Sequence, residues 1–149
     1  MEHGSVQLKE ILVPVDGSQA SLDALALAGA LAKRNKGRVY AVYVIEVART
    51  LPLDADLTPE AGQGEDILST VEELADSLDF DVTGEILQAR DAGHAIVDEA
   101  IERGVDGIIV GMDYVRPLGE FQMDERAQYV LKNAPCQVVI CRSPAGGGR

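Results

Sequence analysis

The groups in this sequence with chemistry to offer are carboxylates and short polar turns. Asp16-Gly17-Ser18 follows one apolar run, and Gly111-Met112-Asp113 follows another. Tyr114, Arg116, Asp124, Glu125 and Arg126 come soon after the second. A turn such as 16–18 either caps a helix through its side-chain oxygens or offers a carboxylate and backbone amides to a ligand. Asp16, Asp113, Asp124 and Glu125 carry oxygens of the kind Mg²⁺ or Ca²⁺ takes, but their spacing is not a metal motif and no metal ligand is assigned. Cys136 and Cys141 are too few for a zinc set or a disulfide framework, and they read as packing groups. His3 falls in an unpatterned N-terminal stretch, and His94 in the first turn of a helix, solvent-facing or capping. Neither has a paired nucleophile, so no catalytic residue is assigned.

These turns need elements to position them, and the chain alternates strand-like and helix-like segments. Residues 11–15 form a short apolar strand. From Ser18 to Lys36, Leu22, Leu25, Ala28, Leu31 and Ala32 recur at helical spacing, with Ser18 as N-cap and Gly37 as C-terminal stop. Residues 39–45 are apolar on both faces, as a buried parallel strand requires. Residues 48–66 read as a loop or a lead-in to a helix, whose stripe is Ile67, Leu68, Val71, Leu74, Ala75 and Leu78. The acidic residues Glu65, Asp66, Glu72, Glu73 and Asp76 read as its solvated face. Residues 81–89 alternate weakly as a strand. A helix begins at Asp91 and is closed by Gly104, and a buried strand covers 105–110. Gly111 reads as a tight turn. Met123, Ala127, Val130 and Leu131 form a last helical stripe, stopped by Asn133-Ala134-Pro135. The final strand is 138–141, and 143–149 is a Gly-rich flexible tail with no core role.

This βαβαβαβαβ order predicts an α/β fold, an open five-stranded parallel sheet with helices on both faces. Ligands of such sheets bind beyond the carboxyl ends of the strands, where the strand order reverses. Two orders remain open on pattern alone, 2-1-3-4-5 and 3-2-1-4-5. In the second, the turn at 16–18 faces the stretch 111–125.

Composition narrows the function. The 149 residues fit a single domain spanning 1–149 with its core at about 8–142. The formal charge of −12 excludes the basic footprint of a general nucleic-acid binder or a polybasic membrane anchor. No apolar stretch approaches the length of a membrane span and no secretory signal is visible, so the expected location is cytoplasmic.

The run ILVPVDGS at 11–18, and VGMDY with YVLKNAPCQVVICR near the end, resemble the universal stress protein family. The order of elements agrees over about residues 8–142, and the resemblance implies the 3-2-1-4-5 order. Many members of that family bind ATP through G-x-x-G, nine residues, then G-[ST], between the fourth strand and fourth helix. Glycines there admit a close backbone approach, and amides with a helix N-terminus cradle phosphate. At that spacing this chain has Gly111, Tyr114, Asp124 and Glu125. It thus resembles the subgroup whose ATP motif is degenerate. A close like-charge pair costs about 1 kcal/mol in water and about 4 kcal/mol at an effective dielectric of 20, which argues against tight ATP binding. Arg116 and Arg126 offset part of that charge without restoring the nest.

The resemblance places Asp16 and Val44 at positions that contact adenine or ribose. The expected ligand set is Asp16, Gly17, Ser18, Val44, Gly111 and Met112, with Tyr114, Asp124 and Glu125 as a degenerate phosphate loop. Asp16 as a cap, and Asp124 with Glu125 as complements to the helix macrodipole, are the alternatives. The reading is a regulatory or binding module with no firm cofactor, AMP or ATP being the candidates. In it, a ligand or partner shifts the loops at 48–66 and 112–124. A weak ATPase is one alternative, and an accessory partner of a membrane transporter, which the family also contains, is another. The family resemblance further implies a homodimer through the last strand, where Val138 to Cys141 is an apolar edge.

Overall fold

The structure is a computed structural model that describes residues 7–116 and 119–145. His3 and the end of the expected tail, 146–149, lie outside the described residues. The elements are β1 (Glu10–Pro14), α1 (Gln19–Arg34), β2 (Arg38–Glu46), α2 (Thr58–Leu78), β3 (Val82–Ala89), α3 (Ala92–Arg103), β4 (Gly107–Met112), α4 (Glu125–Asn133) and β5 (Gln137–Arg142). All strand pairs are parallel, and the order is β3-β2-β1-β4-β5. That is the 3-2-1-4-5 order. The reversal lies between β1 and β4, where Ile11 is in register with Gly107.

Burial follows the topology. β1 and β4 are central, and every residue of β4 is buried, as are Ile11 to Pro14 of β1. Side chains of β1 and β2 alternate between two cores. Ile11, Val13, Val39 and Ala41 pack with α1 and α2, while Leu12, Val42, Ile108 and Val110 pack with α3 and α4. β3 and β5 are the edges and stay only partly buried. An edge position explains the weak alternation of residues 81–89.

Three helices begin at a polar side chain that accepts a backbone hydrogen bond: Ser18 for α1, Asp91 for α3 and Asp124 for α4. α2 has no such cap. It starts with Thr58-Pro59, well inside the segment 48–66 read as a loop or a lead-in to a helix. Proline at the first helical positions is preset in φ and gives up only an N–H that has no partner there. At this end the buried stripe is a glycine: a Cβ on Gly64 would lie 2.7 Å from Cδ2 of Tyr43. A helix whose core contact is glycine leaves no apolar signal in the sequence.

Other boundaries also shift. β4 is displaced C-terminally and absorbs Gly111 and Met112. α4 starts at Glu125, so Met123 packs against its core from outside the helix. α1 ends at Arg34, and the left-handed residue beyond it is Lys36 rather than Gly37.

Candidate functional site

The turn after β1 is built from its own polar groups. Gly17 has φ of 86°, in the region glycine favours, and a Cβ there would meet Cδ1 of Ile67 at 3.2 Å. Oδ1 of Asp16 accepts from the Ser18 amide at 2.9 Å, and Oγ of Ser18 accepts from the Ser21 amide at 3.1 Å. Ser21 is fully buried beneath the turn. Its hydroxyl donates to the Ser18 carbonyl at 2.9 Å and accepts from the Asp16 amide at 3.4 Å. Burial alone would push the Asp16 carboxyl up. The hydrogen bonds from Ser18, the charge of Arg126 and the Ser21 hydroxyl together outweigh it and hold the carboxyl below its ordinary value. Asp16 is therefore an anion that orders its own turn. On the α1–α2 side of the turn, Gly17, Leu22, Asp66, Ile67 and Thr70 line a cavity of about 160 Å³.

Gly111 is extended strand, not the tight turn expected. Its missing Cβ matters for packing: one would lie 2.1 Å from the Ala20 carbonyl oxygen and 3.0 Å from Cα of Ser21. The first turn of α1 thus rests directly on the end of β4. Met112 beside it is 5% exposed and belongs to the α3/α4 core. Val44 is half-buried on that same side.

Arg126 joins the two turns across the reversal. Nη1 lies 3.9 Å from Oδ2 of Asp16, and Nη2 lies 3.9 Å from Oδ2 of Asp124. Nη2 also donates to the Gly111 carbonyl at 3.3 Å. Asp16, Gly111, Asp124 and Arg126 are therefore gathered at one place, as the 3-2-1-4-5 order requires.

In the stretch expected as a degenerate phosphate loop, side chains engage one another and the backbone. Tyr114 stacks on Phe121 with ring centres 5.5 Å apart and planes 4° from parallel. The Arg142 guanidinium lies 4.4 Å from the Tyr114 ring centre and 5.5 Å from that of Phe121. The Tyr114 amide donates to Oγ of Ser143 at 2.8 Å, and the Ser143 amide donates to the Met112 carbonyl at 2.8 Å. Ser143, assigned by sequence to a tail without a core role, thus anchors this loop. Asp124 caps α4, its Oδ1 accepting from the Ala127 amide at 2.7 Å. Glu125 is the first, exposed residue of that helix. Two amides of this stretch, those of Tyr114 and Ala127, are therefore already engaged. Among the described residues no three His, Cys, Asp or Glu side chains are placed to hold a metal, so the four carboxylates do not converge.

The model of the Universal stress protein family matches residues 7–142. The chain belongs to this family. It is 29% identical over 150 residues to Universal stress protein MJ0531 of Methanocaldococcus jannaschii, covering 97% of this chain and 88% of that one. Its fold is similar to the universal stress protein from Archaeoglobus fulgidus in complex with dAMP, at TM-score 0.71 and 16% identity, over 91% of this chain and 98% of that one. It is also similar to a universal stress protein in complex with cAMP, at TM-score 0.68 and 19% identity, over 91% and 98%. Among the described residues no helix is long and apolar enough to cross a membrane.

Sequence reasoning weighed Arg126 only as an offset to nearby charge, and missed Ser21, Phe121, Arg142 and Ser143. The spacing of Ser18 and Ser21 carries a local signal, a cap followed one turn later by a second hydroxyl. Arg142 and Ser143 carry none, because they reach Tyr114 only through the pairing of β4 with β5.

Proposed function

We propose that this chain is a regulatory binding module whose cleft between β1 and β4 takes an adenine nucleotide with few phosphates and does not hold ATP tightly. The observation that carries this reading is the engagement of the loop by its own groups. Asp124 takes the Ala127 amide, and Ser143 takes the Tyr114 amide. A triphosphate entering there meets the Asp124 and Glu125 carboxylates and finds these two amides already taken. The adenosine half is less altered, because Asp16 is an ordered, half-exposed acceptor and Val44 offers apolar surface near the carboxyl end of β2. The complexes of relatives with dAMP and cAMP support a ligand of that class. Mass spectrometry of small molecules released from freshly purified protein, followed by calorimetry with AMP, ADP and ATP, tests the reading. Binding of AMP with ATP at least about tenfold weaker is expected. ATP binding at nanomolar affinity, or no heat with any of the three, overturns it.

The working unit in this proposal is a homodimer joined through β5. Val138, Val139, Ile140 and Cys141 are half-buried on a strand with one open edge.

A further inference from the structure

We infer that Arg126 sets how many negative charges a ligand of the β1–β4 cleft can carry. This rests on the adenine-nucleotide reading above and concerns selection within that class. Among the described residues, Arg126 is the one basic side chain in ion-pair contact with Asp16 or Asp124. It is 19% exposed, whereas the two carboxylates are about half exposed at 48% and 49%. One guanidinium therefore serves two carboxylates. Asp113 and Glu125 stand exposed on the neighbouring loop and helix start, so the surroundings hold an excess of negative charge.

The geometry makes the guanidinium transferable. Both carboxylates sit at 3.9 Å, beyond hydrogen-bond range, and the firm contact is to the Gly111 carbonyl at 3.3 Å. Arginine has five N–H donors, and the one hydrogen bond the guanidinium makes, to the Gly111 carbonyl, leaves others to turn to a ligand oxygen. A single phosphodiester charge can be met by Arg126 as it stands. Each further charge faces Asp16 and Asp124, with which no second basic side chain among the described residues forms an ion pair. Arg116 donates to the Gly119 carbonyl, and Arg142 lies over the Tyr114 ring. The expected affinity order without Mg²⁺ is cAMP above AMP, AMP above ADP, and ADP above ATP. Adenosine, which is uncharged, depends on Arg126 only through its pairing with Asp16.

The test is calorimetry with adenosine, cAMP, AMP, ADP and ATP in chelator-containing buffer, on the parent chain and two variants. Asp124→Asn keeps the α4 cap, since asparagine caps as well as aspartate, and releases half of the claim on the guanidinium. It should narrow the gap between cAMP and ATP by about fivefold, the effect of one unit charge at about 4 Å in water. Arg126→Gln should weaken every charged ligand by about tenfold and adenosine by much less. Equal affinity of the parent for cAMP and ATP, or a gap that Asp124→Asn leaves intact, overturns the role of Arg126 and leaves nucleotide binding standing. No heat with any ligand, adenosine included, overturns both.

Discussion

Gly111 ties the site to the fold by lacking a side chain. A Cβ there meets the carbonyl of Ala20, and backbone cannot step aside as a flexible side chain would. Gly111→Ala should destabilise the protein by about 1–3 kcal/mol through overpacking, read as a lower urea midpoint at unchanged slope. At the loop between β4 and α4 the combined variant Tyr114→Gly, Asp124→Gly, Glu125→Ser should gain ATP binding, measured by calorimetry against the parent. It removes the ring under Arg142 and the carboxylate that caps α4. Because glycine is itself an acceptable N-cap, the loss at position 124 is a few tenths of a kcal/mol, so the variant should still fold. The spacing of the family's motif made Asp124 conspicuous, and the sequence offered it as part of a degenerate phosphate loop or as a complement to the helix macrodipole, not as a cap. That it caps α4 emerges only from the distance to the Ala127 amide. For Ser143 no local pattern exists, since a residue just past one strand closes the loop after its neighbour.

At the scale of elements, the legible features were those with strong side-chain signals. Ser18 and Asp91 as caps, the buried run of β4 and the stripe on α2 from Ile67 onward all follow from residue type and period. The start of α2 did not, because its core contact is Gly64 and its N-terminus lacks a polar cap. The cap on α3 also predicts a pH response. The Asp91 carboxylate faces Nδ1 of His94 at 2.8 Å and accepts from the His94 amide at 2.9 Å, and these bonds hold it below its ordinary value near 3.8. A carboxyl depressed in the folded state gives stability that is complete above the unfolded value and lost as pH falls through the folded one. Asp91→Asn keeps the cap without the charge. Its unfolding free energy should therefore fall less steeply than the parent's below about pH 4, in urea titrations stepped through the acid range. Asp91→Ala should instead cost about 1 kcal/mol at neutral pH.

For the whole molecule, strand order decides which distant residues become neighbours. The alternation of elements restricted the topology to two orders, and family resemblance chose the one that brings Asp16 to Arg126. The same order leaves β5 open on one side, and its half-buried Val138 to Cys141 carry the proposed dimer. Two copies of formal charge −12 must then approach each other. Apolar burial at the strand favours association, while the net charge opposes it over a screening length of about 10 Å at 0.1 M salt and about 3 Å at 1 M. The dimer should accordingly tighten as salt is raised, the reverse of an interface held by opposite charges. Light scattering after size exclusion, repeated across that range, reads this directly. Val139→Lys places a charge in the middle of the edge and should leave a folded monomer at every salt concentration. A parent chain that stays monomeric at micromolar concentration even in 1 M salt removes the dimer. A dimer that loosens with salt would instead place the contact on charged groups away from β5, because burial of valine and isoleucine is strengthened, not screened, by added salt.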